Sequence, residues 1–243
     1  MYDIHCHLIP AVDDGSDSFE ESMEMIELAH TGLTQGIICT PHCNIDNICL
    51  NFWSEEFESL IECLRKKIEK LGIQIEIYPG QEVFLTGDFV KNLKIGNLIT
   101  LNGSDYLLVE FPWNENPTEA FRKIAALAAN GYKPIIAHPE RYAFVIDRED
   151  TAAQLKALGC LLQVNKGSLK GSFGPEVADT AHRLLAGRLA DFVASDAHSP
   201  YKRTPYLRDI HEMISTLYSE NYANYLLNDN PYRVIKNQQI YSY

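Results

Sequence analysis

Residues 3–16 read DIHCHLIPAVDDGS, a short apolar run that ends in two histidines and, just beyond, the pair Asp13 and Asp14. In an extended chain residues two apart share a side, so His5 and His7 face the same way and can grip one ion or two neighbouring ions. The same form recurs along the chain. Run 36–40 is followed by His42, run 73–78 by Glu82, and run 106–111 carries Glu110 at its end. Run 133–137 precedes His138, Glu140 and Arg141; run 161–164 precedes Asn165; run 191–194 precedes Asp196 and His198. A lone His-x-His is a weak signal, Glu82 alone could be a solvated loop residue, and Asp196 alone a turn cap. An ordinary core does not place a metal-type residue after every run.

Between the runs the apolar spacing changes to three and four, as in helices with one buried face. Phe19, Met23, Ile26, His30 and Leu33 form one such face, entered through Ser18 and Glu21 as a capping box. Phe57, Leu60, Ile61, Leu64, Ile68 and Leu71 form a second after Ser54. Phe121, Ile124, Ala125 and Ala128 form a third, with Asn116 as cap, Pro117 in the first turn and Gly131 past the end. Shorter helices are expected around 150–158 and 175–186, a longer one around 206–226, and a small hairpin turn at Asn102-Gly103. Seven strands alternating with helices imply parallel pairing. No glycine-rich loop follows the first strand, which weakens a dinucleotide-binding sheet. A parallel barrel opens all its strand ends on one face, where the polar residues would then collect.

The 243 residues fit one barrel-sized domain, 1–243. No apolar run approaches the roughly 18–20 residues of a membrane span, and MYDIHCHLIP lacks the basic and apolar regions of a signal peptide. The expected location is the cytoplasm, with the six irregularly spaced cysteines unlinked. A net charge of −12 argues against a nucleic-acid surface or an anionic membrane. No cysteine is followed six positions later by arginine, so a cysteine-based phosphate cradle is excluded. G-x-S-x-G and G-x-x-x-x-G-K-[ST] are also missing. Cys39, Cys43 and Cys49 bracket His42 without the C-x-x-C pairs of a zinc knuckle; Cys39 reads as a small hydrophobe, Cys43 and Cys49 as free thiols in a loop. His30, His182 and His211 sit in helical stretches and read as ordinary imidazoles. The mixed imidazole and carboxylate set suits Mn²⁺, Fe²⁺ or Zn²⁺, and more than four ligands implies at least two ions.

The stretches DIHCHLIPAVDDGS, TPH at 40–42, YPGQEVF at 78–84, LLVEF at 107–111, IIAHPERY at 135–142, QVNKGSLKGSFG at 163–174, ASDAHS at 194–199 and NDNPYRVI at 228–235 carry a resemblance that runs nearly end to end. The chain resembles the polymerase and histidinol phosphatase (PHP) superfamily, and within it the bacterial protein tyrosine phosphatases of capsule and exopolysaccharide clusters, the CpsB/YwqE type. The resemblance implies an α/β fold, a distorted seven-stranded parallel, TIM-like PHP barrel with two or three ions, usually Mn²⁺. One ion would be held by His5, His7, Glu82 and Asp196, a second by Glu82, Glu110 and His138, a third by Asp14, His42 and His198. Arg141 and Arg203 match the arginines that hold the phosphate. The implied substrate is the phosphotyrosine tail of a bacterial tyrosine kinase that acts as a polysaccharide co-polymerase; homo-oligomers are compatible with it. One stretch departs from the pattern: relatives tend to carry polar or basic residues after His42, whereas 43–53 reads CNIDNICLNFW.

The expected reaction is metal-assisted hydrolysis of a phosphate monoester. Three alternatives share parts of the pattern. A histidinol-phosphate phosphatase would present a deeper small-molecule pocket, a nuclease would want a basic groove, and a non-catalytic scaffolding module would have lost ligands.

Overall fold

The computed structural model describes residues 1–46, 48–148 and 150–243. Among them nine strand segments pair in parallel: β1 (Tyr2–Cys6), β2 (Gly36–Cys39), β3 (His42–Cys43), β4 (Glu76–Pro79), β5 (Glu82–Phe84), β6 (Tyr106–Glu110), β7 (Lys133–Ala137), β8 (Leu161–Asn165) and β9 (Phe192–Ala194). They form two sheets, β1-β2-β4 and β3-β5-β6-β7-β8-β9. All seven expected runs contain a strand, but two strand segments lie beyond the expected bounds: β3 follows run 36–40 and β5 follows run 73–78, each continuing its predecessor after a break. The breaks fall at Thr40-Pro41 and Gly80-Gln81. Proline brings no N–H to a ladder. A Cβ on Gly80 would lie 2.7 Å from Ile38 Cγ2, so the chains pass there too closely for a side chain. The broken strands carry the chain from one sheet to the other, which is the distortion of the barrel. Its seam is closed by His7 N–H donating to Ala197 O and Asp196 N–H to His5 O, both at 2.9 Å.

Alternation along the strands sorts the side chains. Tyr106 and Leu108, Ile135 and Ala137, Phe192 and Ala194 join Ile4 and Ile38 in one apolar cluster, whereas Leu107, Val109, Ile136, Leu162, Val164 and Val193 pack in another with residues of the surrounding helices. Two residues further along the first set come Glu110 and Asp196, and on β8 Gln163 and Asn165 take the same alternate positions. The barrel interior is therefore apolar at the base and polar at the carboxyl end. A register irregularity between Asp3 and Cys6 re-aims β1, so that Ile4 stays in the core while His5 and His7 reach the mouth.

The helices are α1 (Phe19–Thr31), α2 (Glu55–Leu71), α3 (Phe89–Lys94), α4 (Pro117–Ala129), α5 (Ala143–Ile146), α6 (Thr151–Ala157), α7 (Lys166–Leu169), α8 (Pro175–Ala186), α9 (Arg208–Leu217), α10 (Glu220–Asn224) and α11 (Asn230–Ile235). Ser18 Oγ caps α1 by accepting from Glu21 N at 3.2 Å. The returning Glu21 carboxylate takes the Asp17 N–H at 2.8 Å, one residue earlier than a capping box requires. On α2, Phe57, Ile61, Leu64 and Ile68 are buried; full burial of such a side chain contributes about 1.5–3 kcal/mol. Two expectations are corrected. The stretch 206–226 is not one helix: α9 stops at Tyr218, and Ser219 caps a new helix by accepting from Tyr222 N at 3.2 Å. Asn102-Gly103 is a turn of 3₁₀ helix (Leu101–Gly103) leading into a parallel strand, not a hairpin, because a parallel neighbour cannot be reached by a two-residue loop. No helix among the described residues is long and apolar enough to cross a membrane.

Candidate metal centre at the barrel mouth

The strand ends bring His5, His7, Asp14, His42, Glu82, Glu110, His138, Asp196 and His198 into four overlapping groups. These are His7–Asp14–His42–His198, His5–His7–Asp196, His5–Glu82–His138 and His42–Glu82–Glu110. Glu82 lies at the centre. Its Oε2 is 3.0 Å from His5 Nε2, 3.3 Å from His7 Nε2 and 3.0 Å from His42 Nδ1, and its Oε1 is 2.9 Å from His138 Nε2. Asp196 Oδ1 lies 3.3 Å from His5 Nε2 and 3.4 Å from His7 Nε2. Asp14, exposed at the rim, approaches His42 and His198 at 3.5 and 3.4 Å. The grouping expected from the resemblance differs in two details: His5 also meets His138 across Glu82, and His42 meets Glu110 at 3.4 Å. His138 and Asp196, each just past its strand, adopt left-handed backbone with φ of 35° and 49°. Such conformations are sparsely populated and persist where surrounding structure holds them.

Whether these residues suit a metal can be tested on their own hydrogen bonds. His5 Nδ1–H donates to Gln163 Oε1 and His7 Nδ1–H to Asp13 Oδ2, both at 2.7 Å. In the neutral rings both Nε2 atoms then carry lone pairs, and they stand 3.2 Å apart. Two lone pairs aimed at one point repel unless a cation lies between them. His42 Nδ1, Glu82 Oε2, Asp196 Oδ1 and His198 Nε2 are buried without a hydrogen-bond partner, an expensive arrangement for protein atoms alone. Ligands about 2.1 Å from one ion at a tetrahedral angle stand roughly 3.4 Å apart, close to the separations here. The residues fit a divalent transition metal.

Without a cation the cluster shares protons. Burial disfavours charge on every ring, but Glu82 and Asp196 raise His5, Asp13 raises His7 and Glu82 raises His42. At His138 burial wins and the pKa falls to about 4; His198 is also lowered, by burial and by His7. Burial, then repulsion from Glu82, pushes Glu110 up to about 8. Metal binding therefore displaces protons and weakens as pH falls.

Arg141 and Arg203 stand at the edge of the cluster. Arg203 Nη2 is 2.5 Å and Arg141 Nη1 3.8 Å from the same atom, Asp196 Oδ2, which also accepts from Asn165 Nδ2. In the Arg203 loop His198 N–H donates to Arg203 O at 3.0 Å, while Tyr201 and Lys202 at its tip are exposed. Glu140 turns away from the cluster and takes the Asn165 N–H at 2.9 Å. His182 and His211 bond to Tyr218 and Asn224, outside the site. In loop 43–53, where Asn47 lies outside the described residues, both thiols are free: Cys43, at the end of β3, is buried, and Cys49 Sγ donates to His42 O at 3.3 Å. A groove of about 880 Å³ lined by Trp53, Ile61, Arg65 and Pro79 contains none of the cluster, so polarity rather than depth marks the site. The orienting role of Asp13 and Gln163 was not read from the sequence. Gln163 and Asn165, at alternate positions of an apolar strand, were the available signal.

Gly15 ties the mouth together. A Cβ there would lie 2.4 Å from His7 Cβ and 2.9 Å from Asp13 Oδ1. Gly15→Ala should cost about 1–3 kcal/mol and lower the thermal midpoint by roughly 2–4 °C for each kcal/mol, with less Mn²⁺ retained on loading. An unchanged midpoint and metal content in scanning calorimetry and elemental analysis would contradict this packing.

Comparison with known proteins agrees with the fold. Residues 1–236 match the family described as capsular polysaccharide synthesis, CpsB/CapC. The chain is 33% identical to the tyrosine-protein phosphatase YwqE of Bacillus subtilis, covering 99% of this chain and 94% of that protein. It is 28% identical to the tyrosine-protein phosphatase CpsB of Streptococcus pneumoniae, covering 99% and 100%. A solved structure from work on YwqE and CpsB, described as unique metal-dependent tyrosine phosphatases, superposes with a TM-score of 0.92 at 32% identity over 100% of this chain and 97% of that one. A histidinol phosphate phosphatase from Lactococcus lactis shares the fold, with a TM-score of 0.57 at 16% identity over 93% of this chain and 94% of that one. The fold and the polar mouth define a PHP-type barrel, and the chain belongs to the CpsB/CapC family.

Proposed function

We propose that this chain is a metal-dependent protein tyrosine phosphatase that dephosphorylates a tyrosine kinase controlling capsular or exopolysaccharide synthesis. It acts as one domain, residues 1–243, in the cytoplasm, where its six free cysteines stay reduced. The observation that carries this reading is the approach of two guanidinium groups to one carboxylate, Asp196, at the edge of an imidazole–carboxylate cluster.

His5, His7, Glu82 and Asp196 would hold one ion, Glu82, Glu110 and His138 a second, and Asp14, His42 and His198 a third, with Mn²⁺ the expected metal. Such ions supply Lewis acidity and make water a nucleophile near neutral pH. The chain does the rest. Arg141 and Arg203 take the equatorial oxygens of the phosphoryl group, where a planar fork engages two oxygens and a lysine cannot. Gln163 and Asp13 keep the Nε2 atoms of His5 and His7 turned to the cluster. A tyrosyl leaving group has a pKa of about 10 and departs with little help from an acid. The names of the relatives support the substrate class, and the family description supports the pathway.

Hydrolysis of phosphotyrosine peptide by the Mn²⁺-loaded protein should disappear with chelator and survive iodoacetamide. No thiol is placed as a nucleophile: burial pushes the Cys39 and Cys160 thiols up to about 12, and Cys49 to about 11. Any partial loss on alkylation should vanish in Cys49→Ser, the thiol beside His42. Thiol sensitivity with chelator resistance would overturn the mechanism. Faster turnover of histidinol phosphate would move the chain to the small-molecule reading, and no turnover of either substrate to a scaffolding one.

A further inference from the structure

The two arginines are held in different ways. Arg203 is committed: its Nε donates to Asp196 O at 3.1 Å and its Nη2 lies 2.5 Å from Asp196 Oδ2. The Arg141 guanidinium makes no hydrogen bond to protein among the described residues, and its closest carboxylate oxygen is 3.8 Å away. What fixes it is aromatic. Its guanidinium carbon lies over the Trp113 ring at 4.2 Å and over the Phe173 ring at 4.4 Å. Trp113 stacks in turn on Tyr142, and Tyr142 on Phe144, at interplanar angles of 28° and 5°. Tyr142 is fully buried and its hydroxyl accepts the Phe111 N–H at 3.2 Å, which anchors the column in the barrel wall.

We propose that Trp113 and Phe173 are positioning residues that hold the Arg141 fork flat, with its N–H edge unspent, and so make Arg141 the main receiver of the phosphoryl oxygens. This rests on the phosphatase reading above and deepens it. A free arginine side chain loses much rotamer freedom when it grips an anion; one already packed against two rings has lost part of it beforehand. The aromatic faces hold the cation without using its hydrogen-bond donors, since attraction to a ring quadrupole acts through the face of the guanidinium and the donors lie on its edge. Arg203 serves differently: its Nε and Nη2 are engaged by Asp196, its guanidinium carbon lies farther from the Phe173 ring at 5.8 Å, and only its remaining N–H groups are open to the phosphoryl group.

The test uses the Mn²⁺-loaded protein and inorganic phosphate as the probe. Trp113→Leu and Phe173→Leu should each weaken phosphate binding by about 3- to 10-fold in titration calorimetry, the range expected of one cation–π contact, and raise KM for phosphotyrosine peptide by a similar factor. The thermal midpoint should stay near wild type because Trp113 is 43% exposed; its ring lies 5.3 Å from that of His138, so manganese content is measured for every variant and binding is compared at equal loading. Trp113→Phe, which keeps an aromatic face, should restore binding to within about twofold of wild type. In the Trp113→Leu background Arg141→Ala should cost less than it does in wild type, since the clamp has already been lost. The proposal is overturned if both leucine variants bind phosphate as wild type does. It is equally overturned if Trp113→Phe is no better than Trp113→Leu, or if the loss tracks metal content. Should the loaded wild type neither bind phosphate nor hydrolyse phosphotyrosine, the phosphatase reading itself fails and takes this inference with it. Turnover by wild type with unaffected leucine variants would sink only the clamp.

Discussion

Glu82→Ala should lose at least one metal ion per chain after reloading with Mn²⁺ and lower kcat/KM on phosphotyrosine peptide by about a thousandfold or more. The carboxylate is fully buried and contacts four of the five imidazoles of the cluster, reaching His5, His7 and His42 through one oxygen and His138 through the other. Removing it takes a ligand from two groups at once. A metal stabilises transition-state charge by several kcal/mol, and about 4 kcal/mol is a thousandfold in rate. The metal-free variant should also give up the protons that Glu82 helps to hold on His5 and His42, so those imidazoles should titrate at lower pH than in the metal-free wild type. Elemental analysis and histidine NMR titration check the two halves separately. Full metal content with turnover within tenfold of wild type would show that Glu82 is not the shared ligand.

Arg141→Ala and Arg203→Ala should each lower turnover by roughly thirty- to a thousandfold, the range of about 2–4 kcal/mol for losing a charge-assisted contact in the transition state. Their side effects should differ. Arg203 is 30% exposed and paired with Asp196, so its removal takes a cationic partner from a buried carboxylate and should reduce metal retention as well. Arg141 leans on rings rather than on a ligand, so its alanine variant should keep its metal. Lys202 is the control. It is exposed, its backbone N–H and carbonyl are occupied by Ser199 Oγ, and no contact of its ammonium is seen among the described residues. Lys202→Ala should stay within a factor of three of wild type. If both arginine variants also stay within that factor, the phosphate clamp is misassigned.

Much of the candidate site was legible because strand ends are local features. A β-branched run that stops at a histidine or carboxylate can be read within ten residues, and parallel topology then sends every such end to one face. His5, His42, Glu82, Glu110, His138 and Asp196 are found this way. Less legible was how they group. His5 meets Gln163 across 158 positions, and Asn165 meets Asp196 across 31. Nothing local to Gln163 says that its amide oxygen fixes a histidine tautomer.

The sequence by itself determined the parallel α/β order, the helices with capped ends, the histidine, carboxylate or amide at each strand end and the absence of a Cys-x5-Arg pattern. These depend on the period of apolar residues and on side-chain chemistry, both written within a few positions. Only the tertiary structure decided that Glu82 lies at the centre, that Thr40-Pro41 and Gly80-Gln81 split two strands between sheets, that 206–226 breaks at Ser219, and that Trp113 and Phe173 clamp Arg141. Each of these depends on how closely two distant segments approach once the barrel closes. That distance is set by packing of the whole core, and no short stretch of the chain contains it.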